Sequence, residues 1–311
     1  MKRTILLTTT VLLMLATACQ NAGSTDRTDT ATPDTTAPDT NTKQKCCGVS
    51  LLCESDKSMT IGLVDIENEI PADLFRGSYD DRLLDSLLPD GKTPSAINAF
   101  LVIGDSEYQS SDSRTHRILF DAGLGADKGG RLMESLKNAE VDPAEIDAVC
   151  LTHLHADHIG GLLLNGKRAF PNATIYLSQE EYDAWSDRGP LAAKNGLWKQ
   201  LMEAYDGHIV TFHDGERLLD GMVVAELAPG HTPGHTVYEV DGICLIGGDL
   251  LHAQDIQIDH PQFNASYDMN PKQAAATRKR ILDELSKSSL YFAGAHCHEH
   301  FINLHDRAEN L

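Results

Sequence analysis

The chain has 311 residues, enough for one large α/β domain or two modest ones, and enough to bury a core without disulfide staples. Twenty-six Lys and Arg stand against 46 Asp and Glu, a net charge of −20, and few of these charges fall in residues 20–45, so the acidity belongs to the globular part. Such a field repels phosphate backbones, which argues against a nucleic-acid substrate or partner, and it also keeps the chain soluble.

The first 18 residues read as an export signal. Lys2 and Arg3 make a basic start, Ile5 to Leu15 an apolar core interrupted by Thr8 to Thr10, and Ala16-Thr17-Ala18 lead into Cys19. The apolar run is too short for a stable membrane span. Small residues directly before a cysteine resemble a bacterial lipobox, which implies cleavage before Cys19 and lipidation of its thiol and new amino terminus, although Ala16 stands where Leu is commoner. The alternative is an ordinary signal ending Ala-Thr-Ala with an incidental cysteine. Both readings place the mature chain outside the cytoplasm, and the first anchors it to a membrane, facing the periplasm or the cell surface. Residues 20–45, dominated by Thr, Asp, Pro, Ala, Ser and Asn, have almost nothing to bury. The span 19–58 is therefore expected to be a lipidated cysteine followed by a disordered tether, with the globular domain over 59–311. Cys46, Cys47 and Cys53 cluster at the end of that tether, where they can pair with one another or with Cys297, stay idle, or hold a metal; sequence does not fix which. Cys150 and Cys244 sit in apolar runs and are expected in the core.

From Met59 the pattern becomes strand-rich: MTIGLVDIENEI, INAFLVIGD and RILFDAGLG, separated by polar and glycine-bearing turns. Leu132, Met133 and Leu136 lie at helical spacing within 128–140, and Asp147 to Leu151 is a short apolar strand. The second half repeats the rhythm. Strands are predicted at 173–178, 209–212, 223–227, 237–240, 243–246 and 290–293, with helices over 179–187, around 197–205, and over 271–287, where Pro271 suits a first turn. Two β-rich halves, each carrying helices, fit an α/β protein built as a four-layer αββα sandwich.

Directly after the apolar strand ending at Leu151 stands Thr152-His153-Leu154-His155-Ala156-Asp157-His158-Ile159-Gly160-Gly161. Three imidazoles and a carboxylate within six residues are costly to bury, whereas a borderline divalent metal wants nitrogen and oxygen ligands at about 2.0–2.2 Å. His153 and His155 can project to one metal, and the following turn can swing Asp157 and His158 to a second. Gly160 and Gly161 are expected to let the backbone turn tightly beside the site.

This motif resembles the metallo-β-lactamase superfamily, and further pieces follow in that family's order. Phe120-Asp121-Ala122-Gly123 matches its strand-ending Asp-x-Gly, Pro229-Gly230-His231-Thr232-Pro233-Gly234-His235 its third motif, Gly247-Gly248-Asp249 its bridging-Asp motif, and Gly294-Ala295-His296 its last histidine. The resemblance implies His153, His155 and His231 on one metal, Asp157, His158 and His296 on the other, and Asp249 between them. It further implies two divalent ions, zinc, with a hydroxide held by both as the nucleophile. Asp157 and Asp249 are the catalytic carboxylates, Asp157 orienting that hydroxide. Asp121 is expected to brace the site from behind the ligands and to fix imidazole tautomers, and His235 to do likewise or to belong to the core. His298 is the rival of His296. His252 has a pocket-lining role as one reading. His116, His208, His213, His260 and His305 read as surface, and Trp185 and Trp198 as core or cap.

Within the superfamily, His155 in place of Glu argues against flavodiiron proteins, and a bridging Asp249 is what lactonases and thioesterases carry. The glutathione-binding helical region of glyoxalase II and the large basic insertions of the nucleases have no counterpart here. The stretch from Gly248 through His252, Gln257, Asp268 and Arg278 to His296 is similar to the lactonase and methyl-parathion-hydrolase-like branch. The expectation is a dinuclear hydrolase of an ester- or lactone-type bond in a small molecule. A β-lactamase-like hydrolase and a non-catalytic periplasmic metal-binding module are the alternatives.

Overall fold

The computed structural model describes residues 49–52, 58–106 and 114–309. The expected export signal, Cys19, the expected tether over 20–45 and Cys46, Cys47 and Cys53 lie outside these residues. Among the described residues thirteen strands form two sheets. The first has the order β1 (Val49–Leu52), β2 (Ser58–Pro71), β3 (Lys92–Ser106), β4 (Arg114–Phe120), β5 (Ala148–Cys150), β6 (Thr174–Ser178) and β7 (Ile209–Phe212). Its first four strands are antiparallel, and β4 to β7 run parallel. The second has the order β8 (Arg217–Leu218), β9 (Val223–Leu227), β10 (Thr236–Val240), β11 (Cys244–Gly248), β12 (Tyr291–Gly294) and β13 (Ile302–Asn303), with β11 and β12 parallel and the other pairs antiparallel. A two-residue ribbon, Leu163–Leu164 with Lys167–Arg168, stands apart.

The period-two alternation of side chains sorts these strands into layers. Phe100 and Val102 of β3, Ile118 and Phe120 of β4 and Cys150 of β5 face Val223, Tyr238, Cys244, Ile246 and Ala293 of the second sheet, making the inter-sheet core. Helix α1 (Asp81–Leu87) packs its Leu84 with Phe75, Ile256 and Phe263 in a separate cluster, while Ala99, Leu101, Leu119 and Val149 point the other way from the inter-sheet core, onto α2 (Leu132–Asn138), α3 (Ala156–Ile159), α4 (Gln179–Trp185) and α5 (Gly196–Ala204). Of these, α2 contributes Leu132 and Leu136, α4 Trp185, and α5 Trp198 and Leu201 to that outer core. The second sheet's outer face, with Val237, Leu245 and Phe292, packs on Ile281, Leu282 and Leu285. That helix is α7 (Pro271–Leu285), preceded by the short α6 (Gln254–Gln257) and followed by α8 (Leu304–Glu309). The layers are therefore helix, sheet, sheet, helix, as the sequence pattern implies. Among the described residues no helix is long and apolar enough to cross a membrane.

Several details differ from expectation. Val49–Leu52, assigned to the tether, pairs antiparallel with β2 from Val49↔Leu63 to Leu52↔Thr60, and Val49 is buried in the outer core. The strand expected to run from 117 to 125 stops at Phe120, because Asp121 takes a left-handed backbone at φ 57 that ends the ladder. Helix α1 had no strong periodic signal; Asp80 caps it by accepting from the Arg82 and Leu83 amides. His116 is buried and sits 3.3 Å from the Asp220 carboxylate, not on the surface, since β4 is an interior strand. Of the other histidines expected at the surface, His213 is exposed and His208, His260 and His305 are half-buried.

The placement of β1 predicts that a chain starting at residue 58 is less stable than one starting at residue 49. The loss should be about 2 kcal/mol, the scale for withdrawing a buried valine, and is read as a lower urea midpoint. Equal midpoints would return residues 49–52 to the tether.

Candidate metal centre

The site is built at one end of the sandwich, where the parallel strands deliver their carboxyl ends. Strand β4 ends into Asp121, β5 into Thr152 and His153, β11 into Asp249 and β12 into His296, while the β9–β10 loop brings His231. All seven residues expected to hold metal converge here. His153, His155, His231 and Asp249 present one donor atom each within 4.8 Å of one another, and so do Asp157, His158 and His296.

Asp249 divides the donors. Its Oδ2 lies 3.1 Å from His231 Nε2 and 3.7 Å from His153 Nε2; its Oδ1 lies 2.9 Å from His158 Nε2 and 3.2 Å from His296 Nε2. Within the first group His155 Nδ1 is 2.9 Å from both His153 Nε2 and His231 Nε2. Within the second, Asp157 Oδ2 is 3.5 Å from His296 Nε2 and 3.7 Å from His158 Nε2. Nitrogens that close, with His158 Nε2 and Asp249 Oδ1 buried and lacking hydrogen-bond partners, are arranged as lone pairs aimed at a common point and not as a hydrogen-bonded network. The donor set therefore fits two divalent cations of the zinc type.

The opposite nitrogen of each ring explains the aim. His158 donates from Nδ1 to Asp121 Oδ2 at 2.8 Å, and Asp121 also accepts from the Thr152 amide and hydroxyl. With its own proton so committed, the Thr152 hydroxyl can accept from His153 Nδ1 at 3.1 Å. His296 Nδ1 donates to the Ala96 carbonyl at 2.7 Å, and His231 Nδ1 to Asp268 Oδ1 at 3.1 Å. Each bond fixes the tautomer of the neutral ring, so that Nε2 is the nitrogen left to face a cation at the centre. Asp121 thus stands behind His158, bonded to its far nitrogen and to Thr152. His235 is not a donor to the centre, because both its nitrogens are engaged: Nδ1 with the Ala228 carbonyl at 3.1 Å and Nε2 with the Asp249 amide at 3.0 Å. His298 points away, toward Gln254 and Asp255, which leaves the position to His296.

Gly160 and Gly161 serve a different end from the one expected. Neither needs a left-handed backbone; a Cβ on either would fall on the carbonyl oxygens of Leu124 and Ala122, so the pair lets this turn lie flat on the Asp121–Gly123 loop.

Two carboxylates that motif reasoning passed over hold the loops in place. Glu181 is buried and accepts four bonds, Oε1 from the Leu154 amide and the Trp185 indole, Oε2 from the Thr232 hydroxyl and the Gly234 amide, so it ties the His153–His155 loop to the His231–His235 loop. Asp65, also buried, accepts from the Leu124 and Leu132 amides. An acid set into the apolar run Ile61-Gly62-Leu63-Val64 is the available sequence signal for Asp65, and Glu181 has none. Trp185 is core, but its edge also packs on the His155 ring at 5.7 Å.

Burial and the neighbouring His231 push His155 down to about 4. Burial works against protonation of His231 as well, but Asp249 and Asp268 outweigh it and lift that ring to about 9; carboxylates likewise raise His158 and His296. A cavity of about 560 Å³ opens over the donors, walled by Ile70, Ile97, Leu124, Lys194, Ser266 and Tyr267. His252 also lines it, fully buried, stacked on His296 at 5.3 Å, 3.3 Å from Asp249 Oδ2, and with neither ring nitrogen hydrogen-bonded within the protein.

The metallo-beta-lactamase superfamily profile matches residues 93–296, and the chain belongs to that superfamily. It is 32% identical over 124 residues to the N-acyl homoserine lactonase AttM of Agrobacterium fabrum, a match covering 37% of this chain and 43% of that one. A hydroxyacylglutathione hydrolase of Aeromonas salmonicida is 32% identical over 107 residues, 34% of each chain. The chain thus spans less than half the length of these curated relatives. Among solved structures, the hydrolase AbOPH superposes with a TM-score of 0.71 at 26% identity over 84% of this chain and 94% of that one. The dizinc quorum-quenching lactonase AidC, solved with a product N-acyl homoserine, gives 0.66 at 26% identity over 80% and 90%.

Two outcomes follow from this geometry. Glu181→Gln turns an acceptor into an NH2 group facing two donors and should cost about 2–4 kcal/mol, measured by denaturant unfolding; no loss would mean that the two loops hold without it. Since His158, His231 and His296 are raised without a cation and a ligand imidazole must be neutral, zinc loading at pH 7 should release protons. Calorimetry in buffers of different ionisation enthalpy reads this directly, and a buffer-independent heat would contradict the donor assignment.

Proposed function

We propose that this chain is a two-metal hydrolase of ester- or lactone-type bonds in small molecules, exported and held at a membrane by lipid on Cys19. The observation that carries the catalytic part is the division of Asp249, whose two oxygens each face a separate set of donors. His153, His155 and His231 would hold one ion, Asp157, His158 and His296 the other, and Asp249 both. Two divalent ions, when bound, bring the pKa of a water molecule near neutrality and polarise the oxygen of the bond under attack.

The protein's own groups do the rest. Asp157, half-buried at the cavity floor, is placed to accept a proton from the attacking water and to orient it. The unpartnered imidazole of His252 offers a hydrogen bond to the oxygen on which charge develops, or a proton to the departing one. Ile70, Ile97 and Leu124 give an apolar wall for the substrate's body and exclude water from it. The N-acyl homoserine lactonase and hydroxyacylglutathione hydrolase relatives support the choice of acyl substrates. The short match to them makes the substrate a matter for a side-by-side panel of lactones, thioesters, phosphotriesters and β-lactams.

Asp249→Asn should lose at least one metal equivalent and lower kcat on the best ester or lactone about a hundredfold or more, beyond what losing a ligand's hydrogen-bond partner costs. His235→Ala should destabilise the fold by leaving the Asp249 amide unpaired, yet keep close to both equivalents once folded. Retention of both metals and near-normal turnover by Asp249→Asn would sink the two-metal reading. Membrane fractionation of Cys19→Ser tests the anchor: the wild type should pellet with membranes and the variant should not.

A further inference from the structure

Arg278 of α7 is 1% exposed, and its guanidinium reaches three separate places on the segment that follows Asp249. Nε donates to the Leu250 carbonyl at 2.7 Å, next to Asp249 in the chain. Nη1 donates to the Pro261 and Phe263 carbonyls at 2.8 and 2.9 Å and to Asn264 Oδ1 at 3.3 Å. Nη2 donates to Asp268 Oδ2 at 3.1 Å, and the other oxygen of Asp268 accepts from His231 Nδ1. A buried cation costs several kcal/mol unless its charge and its donors are all met, so a chain that merely needed to fasten a loop could do so with an apolar contact. Here the one formal charge opposed to the guanidinium is the carboxylate that orients a donor of the metal centre. His158 has an equivalent carboxylate in Asp121, but that one has no arginine behind it: Thr152 supplies both its other bonds.

We propose that Arg278 is a positioning residue that acts through Asp268 on His231, and so governs the affinity of the cation position bounded by His153, His155 and His231 while sparing the one bounded by Asp157, His158 and His296. The inference rests on the two-metal reading of the site. Mechanically, Arg278 holds Asp268 in one rotamer with Oδ1 toward the imidazole. That fixes the ring's rotation and keeps Nε2 aimed at Asp249 Oδ2. A lysine keeps the charge but cannot reach Leu250, Phe263 and Asp268 at once, since it lacks the planar fork.

Stepwise zinc titration against a fluorescent chelator tests this on the whole protein. The wild type should show two equivalents; Asp268→Asn and Arg278→Lys should each weaken one equivalent by about 10–100-fold and leave the other within about threefold. The double variant should weaken that equivalent no further than Asp268→Asn alone, because both act along one path. A purely structural Arg278 would lower the urea midpoint and leave both affinities where they were, which overturns the proposal, as does equal weakening of both equivalents or multiplied losses in the double variant. Asp268→Asn decides the matter even where Arg278→Lys fails to fold: an unchanged titration in it is fatal. A wild-type protein that binds no zinc defeats the two-metal reading, whereas two normal equivalents in every variant defeat this inference alone.

Discussion

A carboxylate sunk among imidazoles is the constraint from which the rest of the molecule can be derived. Asp249 is 3% exposed and lies within 4 Å of His153, His158, His231 and His296, which come from three separate segments of the chain. Left to itself, that much polar surface is expensive to remove from water. It becomes favourable when cations occupy the spaces between the donors, and only if the donors arrive already aimed. Two sheets whose strand ends open on the same side meet that demand. Four of the five chain segments that supply the site leave a strand within three residues of the first site residue they deliver, so the rigidity of the ladders passes to the site.

The loops between are fixed by buried acids. Asp121, Glu181 and Asp268 each join two segments distant in sequence, and each spends its oxygens on backbone amides, hydroxyls, an indole, imidazoles or a guanidinium. A carboxylate suits this task because it accepts several bonds at once without needing its own proton placed. The candidate metal donors form an inner ring inside this frame: Asp121 turns His158 inward and Asp268 turns His231, while the Thr152 hydroxyl and the Ala96 carbonyl do the same for His153 and His296.

Much of this was legible in the residues. The donors could be named because unlike groups crowd into short motifs, His153 to His158 most of all, and the apolar runs before Asp121, Thr152 and His296 marked the strands that carry them. Periodicity gave the layers because β3, β4 and β5 are buried on both faces and read as unbroken apolar stretches. What escaped had weaker local signals. Val49–Leu52 is four residues beside a polar tract, and only its pairing with β2 makes it a strand. Glu181 looks like any acid in the first turn of an amphipathic helix, since its four partners come from Leu154, Trp185, Thr232 and Gly234, up to 53 residues away. Gly160 and Gly161 suggested a tight turn, but what they serve is contact with a loop almost 40 residues earlier, which no local rule can see.

The segment after β11 joins two tasks in consecutive residues. Ser266 and Tyr267 face the cavity, and Asp268 turns back to hold His231. A lineage altering Tyr267 to admit a bulkier substrate would therefore disturb the neighbour that helps retain an ion, and one tightening metal retention would reshape the cavity wall. Ile70, which lines another part of the wall and has no such group beside it in the chain, carries no such penalty, whereas Ile97 follows Ala96, whose carbonyl holds His296. Drift in substrate preference is free to accumulate on that side, and selection under metal scarcity should leave its mark on the other.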